Sequence, residues 1–72
     1  MTKRYLIVFE KTTTGFSAYS PDLWGCVAAG ATREETEKNM REAIEMHLEA
    51  MAEDGVPAPE PQSQSAYIEV PA

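Results

Sequence analysis

Soft metal ligands and disulfide partners are nearly missing from this chain. Its 72 residues hold one cysteine, Cys26, and one histidine, His47. That pair builds neither a disulfide framework nor a four-ligand zinc site. Long apolar runs are missing too. The longest is the five-residue Tyr5–Phe9, far short of the roughly 20 residues of a membrane span. Met1-Thr2-Lys3-Arg4 precedes that run with no cleavage site after it, so no signal peptide is expected and the chain reads as cytoplasmic. Positive charge is scarce: 6 Lys and Arg stand against 12 Asp and Glu, a net charge of −6. Such a field repels phosphate backbones, so direct nucleic-acid binding is not expected and a basic protein partner fits better. Large aliphatic and phenylalanine side chains number only twelve, under the roughly one-fifth that marks ordered composition. Their periodic clustering, with four Met, three Tyr and one Trp beside them, argues for order all the same. A chain this short buries only about 60% of its unfolded surface. With no disulfide or metal to help, self-association as a dimer or higher oligomer is the expected source of further burial.

What is present reads as one domain over residues 1–72. Arg4–Glu10 carries apolar residues on both faces (Tyr5, Ile7, Phe9 against Leu6, Val8), the mark of a central or doubly covered strand. Lys11–Gly15 suits a hairpin connection, and residues 16–20 form the returning strand until Pro21-Asp22 stops it. Residues 25–30 (GCVAAG) read as a third strand of small side chains. Thr32 with Glu35 matches a helix-capping box. Met40, Ala43, Ile44, His47, Leu48 and Met51 then form one apolar stripe, opposite Glu35, Glu42, Glu45, Glu49 and Glu53. The helix is placed at about 33–54, supported by Glu34–Lys38 and Glu37–Arg41 pairs, and ended by Gly55 and Pro57. A Pro-rich linker, 55–64, leads to a fourth strand at about 66–70 (AYIEV). The expected fold is α+β: a single β-β-β-α-β layer, mostly antiparallel, with one helix on one face. A right-handed crossover gives strand order 3-2-1-4. The linker has slack to return strand four to its own sheet or to hand it to a neighbouring chain. The bare sheet face calls for a partner, and a second copy of the same sheet is the simplest one.

No catalytic, cofactor or metal site emerges. His47 has no second ligand at metal spacing and reads as a hydrogen-bonded side chain at the core edge or an oligomer contact. Cys26 lacks a paired histidine and reads as a small buried hydrophobe. Glu10, Asp22 and Glu69 at strand ends are the one set of acids able to converge, with nothing specific in their spacing. The better binding candidates are Asp22, Leu23 and Trp24 in the 21–26 loop, where a Trp beside a charge is a recognised interface anchor. The bland reading is that Trp24 folds over its own core or sits in a self-association contact.

At this point the residues resemble a family. Strand RYLIVFE, Gly15-Phe16, the turn Pro21-Asp22-Leu23…Gly25-Cys26, Gly30…Thr32 and the helix segment Glu42-Ala43-Ile44…Leu48-Glu49 look like the HicB-like antitoxins of bacterial toxin–antitoxin pairs. Trp24 stands where the family often has Pro, and Ala31 where it often has Asp. The resemblance implies a truncated ribonuclease-H-like fold without enzyme activity or cofactor. It also implies a non-catalytic role: neutralising a small basic HicA-type toxin that cleaves mRNA. Asp22, Leu23, Trp24, Glu42, Glu45 and Glu49 are then the partner-binding candidates. No residues remain after strand four for the DNA-binding domain of longer members, so a short form is expected. The alternatives are an orphan self-associating domain with no toxin and, more remotely, a residual nuclease-like enzyme at Glu10, Asp22 and Glu69.

Overall fold

A computed structural model describes residues 2–72. Three strands, β1 (Val8–Lys11), β2 (Phe16–Tyr19) and β3 (Val27–Gly30), precede one helix, α1 (Arg33–Glu53). The architecture is α+β: an antiparallel three-stranded sheet of order β1-β2-β3 with the helix on one face. Among the described residues no helix is long and apolar enough to cross a membrane.

Register explains the two faces of the sheet. Phe9, Ala18 and Ala28 are aligned across the three strands and point to the helix, where Ala18, Leu23, Cys26 and Met40 form the buried core. Tyr5, Ile7, Ile44 and Leu48 pack around that core. Val8, Tyr19 and Val27 form the next aligned row and alternate to the opposite face, where Tyr19 and Val27 are exposed. The hairpin closes with the Thr12 N–H donating to the Gly15 carbonyl, 2.9 Å. A Cβ at Gly15 would collide with the Gly30 carbonyl oxygen, so only glycine fits where the hairpin meets the end of β3.

Local chemistry sets both ends of α1. The Thr32 hydroxyl accepts from the Glu35 N–H at 3.0 Å, while the Glu35 carboxylate accepts from the Ala31 N–H at 3.2 Å. The box thus reaches back one residue further than the motif predicts. At the other end Gly55 takes φ +73, and the Gly55 and Val56 N–H groups donate to the Ala52 and Met51 carbonyls. That is a Schellman stop, and it satisfies carbonyls the helix leaves open. Glu37 bridges Arg33 at 3.2 Å and Arg41 at 3.9 Å. Lys38 forms no ion pair with Glu34 among the described residues. Arg33 instead places its guanidinium 4.3 Å from the centre of the Phe9 ring, a cation–π contact tying the helix start to β1.

Three expectations are corrected. The first strand begins its ladder at Val8 rather than Arg4, because β2 ends at Tyr19, opposite Val8, and Pro21 turns the chain away. Residues 66–70 form no strand in the single chain: Tyr67, Ile68 and Val70 are exposed. The central strand is therefore β2, and β1 lies at an edge. The tail is tied by polar contacts to the segment that precedes β1. The Tyr5 hydroxyl donates to the Pro59 carbonyl at 2.6 Å, and Lys3 pairs with Glu60 at 2.7 Å. That pairing raises the Lys3 ammonium above its ordinary value, although an exposed ion pair stabilises little.

The core's weight rests on few side chains, so it is open to a direct test. Met40 is 1% exposed while Met46, on the same helix, is 69% exposed. Met40→Ala should lower unfolding free energy by about 2–5 kcal/mol, and Met46→Ala by no more than about 0.5 kcal/mol. Urea denaturation of the two variants checks this; equal effects would show that the helix is not seated on the sheet through Met40.

Candidate partner-binding surface

The 20–26 loop is built from two successive turns. The Leu23 N–H donates to the Ser20 carbonyl and the Cys26 N–H to the Leu23 carbonyl, each at 3.1 Å. Leu23 and Cys26, three residues apart, both drop into the core, and Gly25 supplies the left-handed φ of +81 that the second turn requires. With its neighbours pinned inward, Trp24 is turned out and is 94% exposed. Exposure of a whole indole is costly in water. Tyr19 and Val27, paired where the flanking strands meet the loop, are exposed as well.

The expected site residues therefore separate. Trp24 is presented to solvent. Leu23 is not: it is 1% exposed and holds the loop down, which corrects its reading as a presented contact. Asp22 faces the tail. Its carboxylate accepts from the Gln62 and Ser63 N–H groups, both at 3.1 Å, and from the Ser63 hydroxyl at 3.0 Å. The Ser63 amide, followed by that of Gln62, holds the Asp22 carboxyl below its ordinary range. Glu42, Glu45 and Glu49 are exposed on one ridge of α1. No hydrogen bond or ion pair links that ridge to the loop among the described residues.

The other candidates fall into place by position. Cys26 is buried, and burial pushes its thiol above the ordinary value, the opposite of what an activated nucleophile requires. His47 is half-buried along the helix stripe. Glu10 lies in β1 at the hairpin end of the sheet, Asp22 follows β2 at the other end, and Glu69 is in the free tail. The three carboxylates do not converge, and among the described residues no group of three or more His, Cys, Asp and Glu could hold a metal ion.

Sequence reasoning missed a second surface. The helix packs over β3 and, less closely, β2. The inner side of β1 and its N-terminal extension are left along an open groove of about 980 Å³. Ile7, Phe9, Met40 and Ile44 line it, together with charges of both signs that include Arg41 and Glu45. The signal that could have revealed it is the contrast between bulky β1 and the small residues of β3, which draw the helix to one side.

A family model described as the HicB-like antitoxin of bacterial toxin–antitoxin systems matches residues 5–72. An uncharacterised 14.9 kDa protein of Haemophilus phage HP1 is 39% identical over 67 residues, 93% of this chain and 50% of that protein. A UPF0150 protein of Helicobacter pylori is 46% identical over 41 residues, 57% of each chain. The chain thus covers little more than half the length of these two relatives. Among solved structures, a chain of a HicA3 and HicB3 toxin–antitoxin complex superimposes with TM-score 0.71 at 42% identity, over 83% of this chain and 70% of that one. The crystal structure of antitoxin HicB3 gives the same score and identity over 83% of this chain and 44% of that one.

The tail clasp has a definite pH sign. A carboxyl whose folded pKa is depressed contributes above its unfolded value and loses that contribution as pH falls through the folded one. The protection of the Gln62 and Ser63 amides, taken relative to the unfolded chain at the same pH, should therefore be high at neutral pH and decline as pH falls below the ordinary Asp value of 3.8. Asp22→Ala should abolish the protection at every pH. Protection that survives in that variant would mean the clasp does not depend on this carboxylate.

Proposed function

The chain belongs to the HicB-like antitoxin family, and we propose that it neutralises a small, basic HicA-type mRNA-cleaving toxin by covering it. The observation that carries this reading is the 42% identity, over 83% of this chain, to a chain of the HicA3 and HicB3 toxin–antitoxin complex. The role is one of binding without catalysis, exercised in the cytoplasm. The net charge of −6 attracts a basic partner and speeds encounter. Trp24 then supplies the apolar anchor, with Leu23 keeping its loop rigid, Asp22 beside it, and Glu42, Glu45 and Glu49 meeting basic groups at the rim. Masking an RNA-binding surface needs area and charge complementarity, and no proton or electron has to move. The same family membership supports the finer reading of the fold as a truncated ribonuclease-H-like β-β-β-α-β layer, with residues 66–70 adding the fourth strand on assembly.

Co-purification with a HicA-type toxin tests the role. The tagged wild-type chain should retain the toxin at low salt and release it progressively as ionic strength rises. Trp24→Ala, combined with Glu42→Lys, Glu45→Lys and Glu49→Lys, should weaken retention by at least about 30-fold, the scale of one hot-spot residue. Undiminished retention by that variant would overturn the assigned surface. Failure of the wild type to retain the toxin would overturn the role.

A further inference from the structure

Two roles fall on the carboxylate of Asp22. In the proposed function it stands beside Trp24 to meet a basic partner, yet in the single chain three donors from the tail already occupy it. Oδ2 accepts from the Gln62 and Ser63 N–H groups, each at 3.1 Å, and Oδ1 accepts from the Ser63 hydroxyl at 3.0 Å. A carboxylate offers about four acceptor sites, so the tail leaves little of it for an incoming guanidinium or ammonium group. Asp22 and Ser63 are both half-buried where they meet.

The loop keeps its shape without the tail. Its two turns close on the Ser20 and Leu23 carbonyls, and Leu23 and Cys26 anchor it in the core. None of these contacts involves residues 62 and 63. What the tail adds at Asp22 is therefore occupancy rather than order, and an occupant at a binding residue is a competitor. We propose that Gln62 and Ser63 form an autoinhibitory clasp on Asp22, displaced when a basic group of the toxin takes the carboxylate. This rests on the toxin-binding reading above and adds a control to the same surface. The clasp's donors are neutral, whereas a guanidinium or ammonium group makes charge-assisted hydrogen bonds of roughly twice the strength.

Displacement is local and reversible. Just upstream, the Tyr5 hydroxyl holds the Pro59 carbonyl at 2.6 Å and Lys3 holds Glu60 at 2.7 Å. Neither contact uses Asp22, so both persist when Gln62 and Ser63 lift away. Ser63 then stays within about 10 Å of chain from Glu60, a short tether that keeps its effective concentration at the carboxylate high. The clasp recloses once the partner leaves. While closed, it lowers apparent affinity for the partner by the fraction of molecules that are open. By linkage, the partner weakens the clasp by the same factor. A basic protein with no site for Trp24 has to displace the tail without that anchor, so the clasp also discriminates against wrong partners.

Ser63→Pro tests the clasp, because it removes the Ser63 N–H and hydroxyl, two of the three donors, from a segment outside helix and strand. Its helical circular dichroism should match that of the wild type. By titration calorimetry it should bind a HicA-type toxin about 5-fold more tightly than the wild type does. In an Asp22→Ala background the same substitution should change affinity by less than about 2-fold, since no carboxylate remains to compete for. In the wild type, saturating toxin should remove the exchange protection of the Gln62 and Ser63 amides and leave the Leu23 and Cys26 amides protected. Clasp amides that stay protected in the complex, a Ser63→Pro variant that binds no tighter, or an equal gain in both backgrounds would each overturn the clasp and leave the toxin-binding role standing. A wild type that binds no toxin overturns that role and the clasp's control of it together.

Discussion

The close approach of α1 to β3 is the contact on which the rest of this small protein depends. Gly30 has no side chain, and a Cβ there would lie 2.8 Å from the Thr36 backbone nitrogen. Thr36 is fully buried at that point and turns its hydroxyl back to the Thr32 carbonyl at 2.7 Å. Asn39 adds a side-chain hydrogen bond to the Ala29 carbonyl at 2.8 Å. With Ala28 and Ala18 offering little bulk beneath it, the helix settles over β3 and β2 and seats Met40 against Leu23. Packing that close excludes water from a core too small to tolerate voids.

What that contact secures on one side it leaves undone on the other. A helix drawn to β3 cannot also cover β1, whose larger residues Tyr5, Ile7 and Phe9 are only partly buried. The groove, the unpaired edge and the loosely clasped tail are consequences of one asymmetry in side-chain size. A short domain cannot bury enough of itself to remove all of them. These are the features a binding partner would cover, in keeping with the proposed role.

The core also shapes the proposed binding surface. Leu23 and Cys26 are drawn inward by the same hydrophobic effect that seats Met40, and the turn between them leaves Trp24 no inward direction. In the proposed role, an exposed indole on a loop held by two buried neighbours acts as a preorganised anchor, which limits the ordering entropy lost on binding. The glutamate ridge differs in kind. Its charges act at a distance and through screening ions, favouring approach and the sign of the partner more than the strength of the final contact.

The helix, with both its ends, was determined by the sequence alone, because capping, glycine stops and a three-to-four-residue apolar spacing are local signals. The hairpin, the small third strand, the acidic character and the family resemblance were equally legible, for each lies in contiguous residues. Tertiary structure decided the rest. It made β2 the central strand instead of β1, since two apolar faces say that a strand needs cover but not which neighbour supplies it. It also buried Leu23 while exposing Trp24, adjacent residues of similar hydrophobicity that a linear pattern cannot tell apart. Finally, it spent Asp22 on residues some forty positions away and left 66–70 unpaired. Contacts across such a separation depend on how the intervening helix is seated, and that follows from packing in three dimensions.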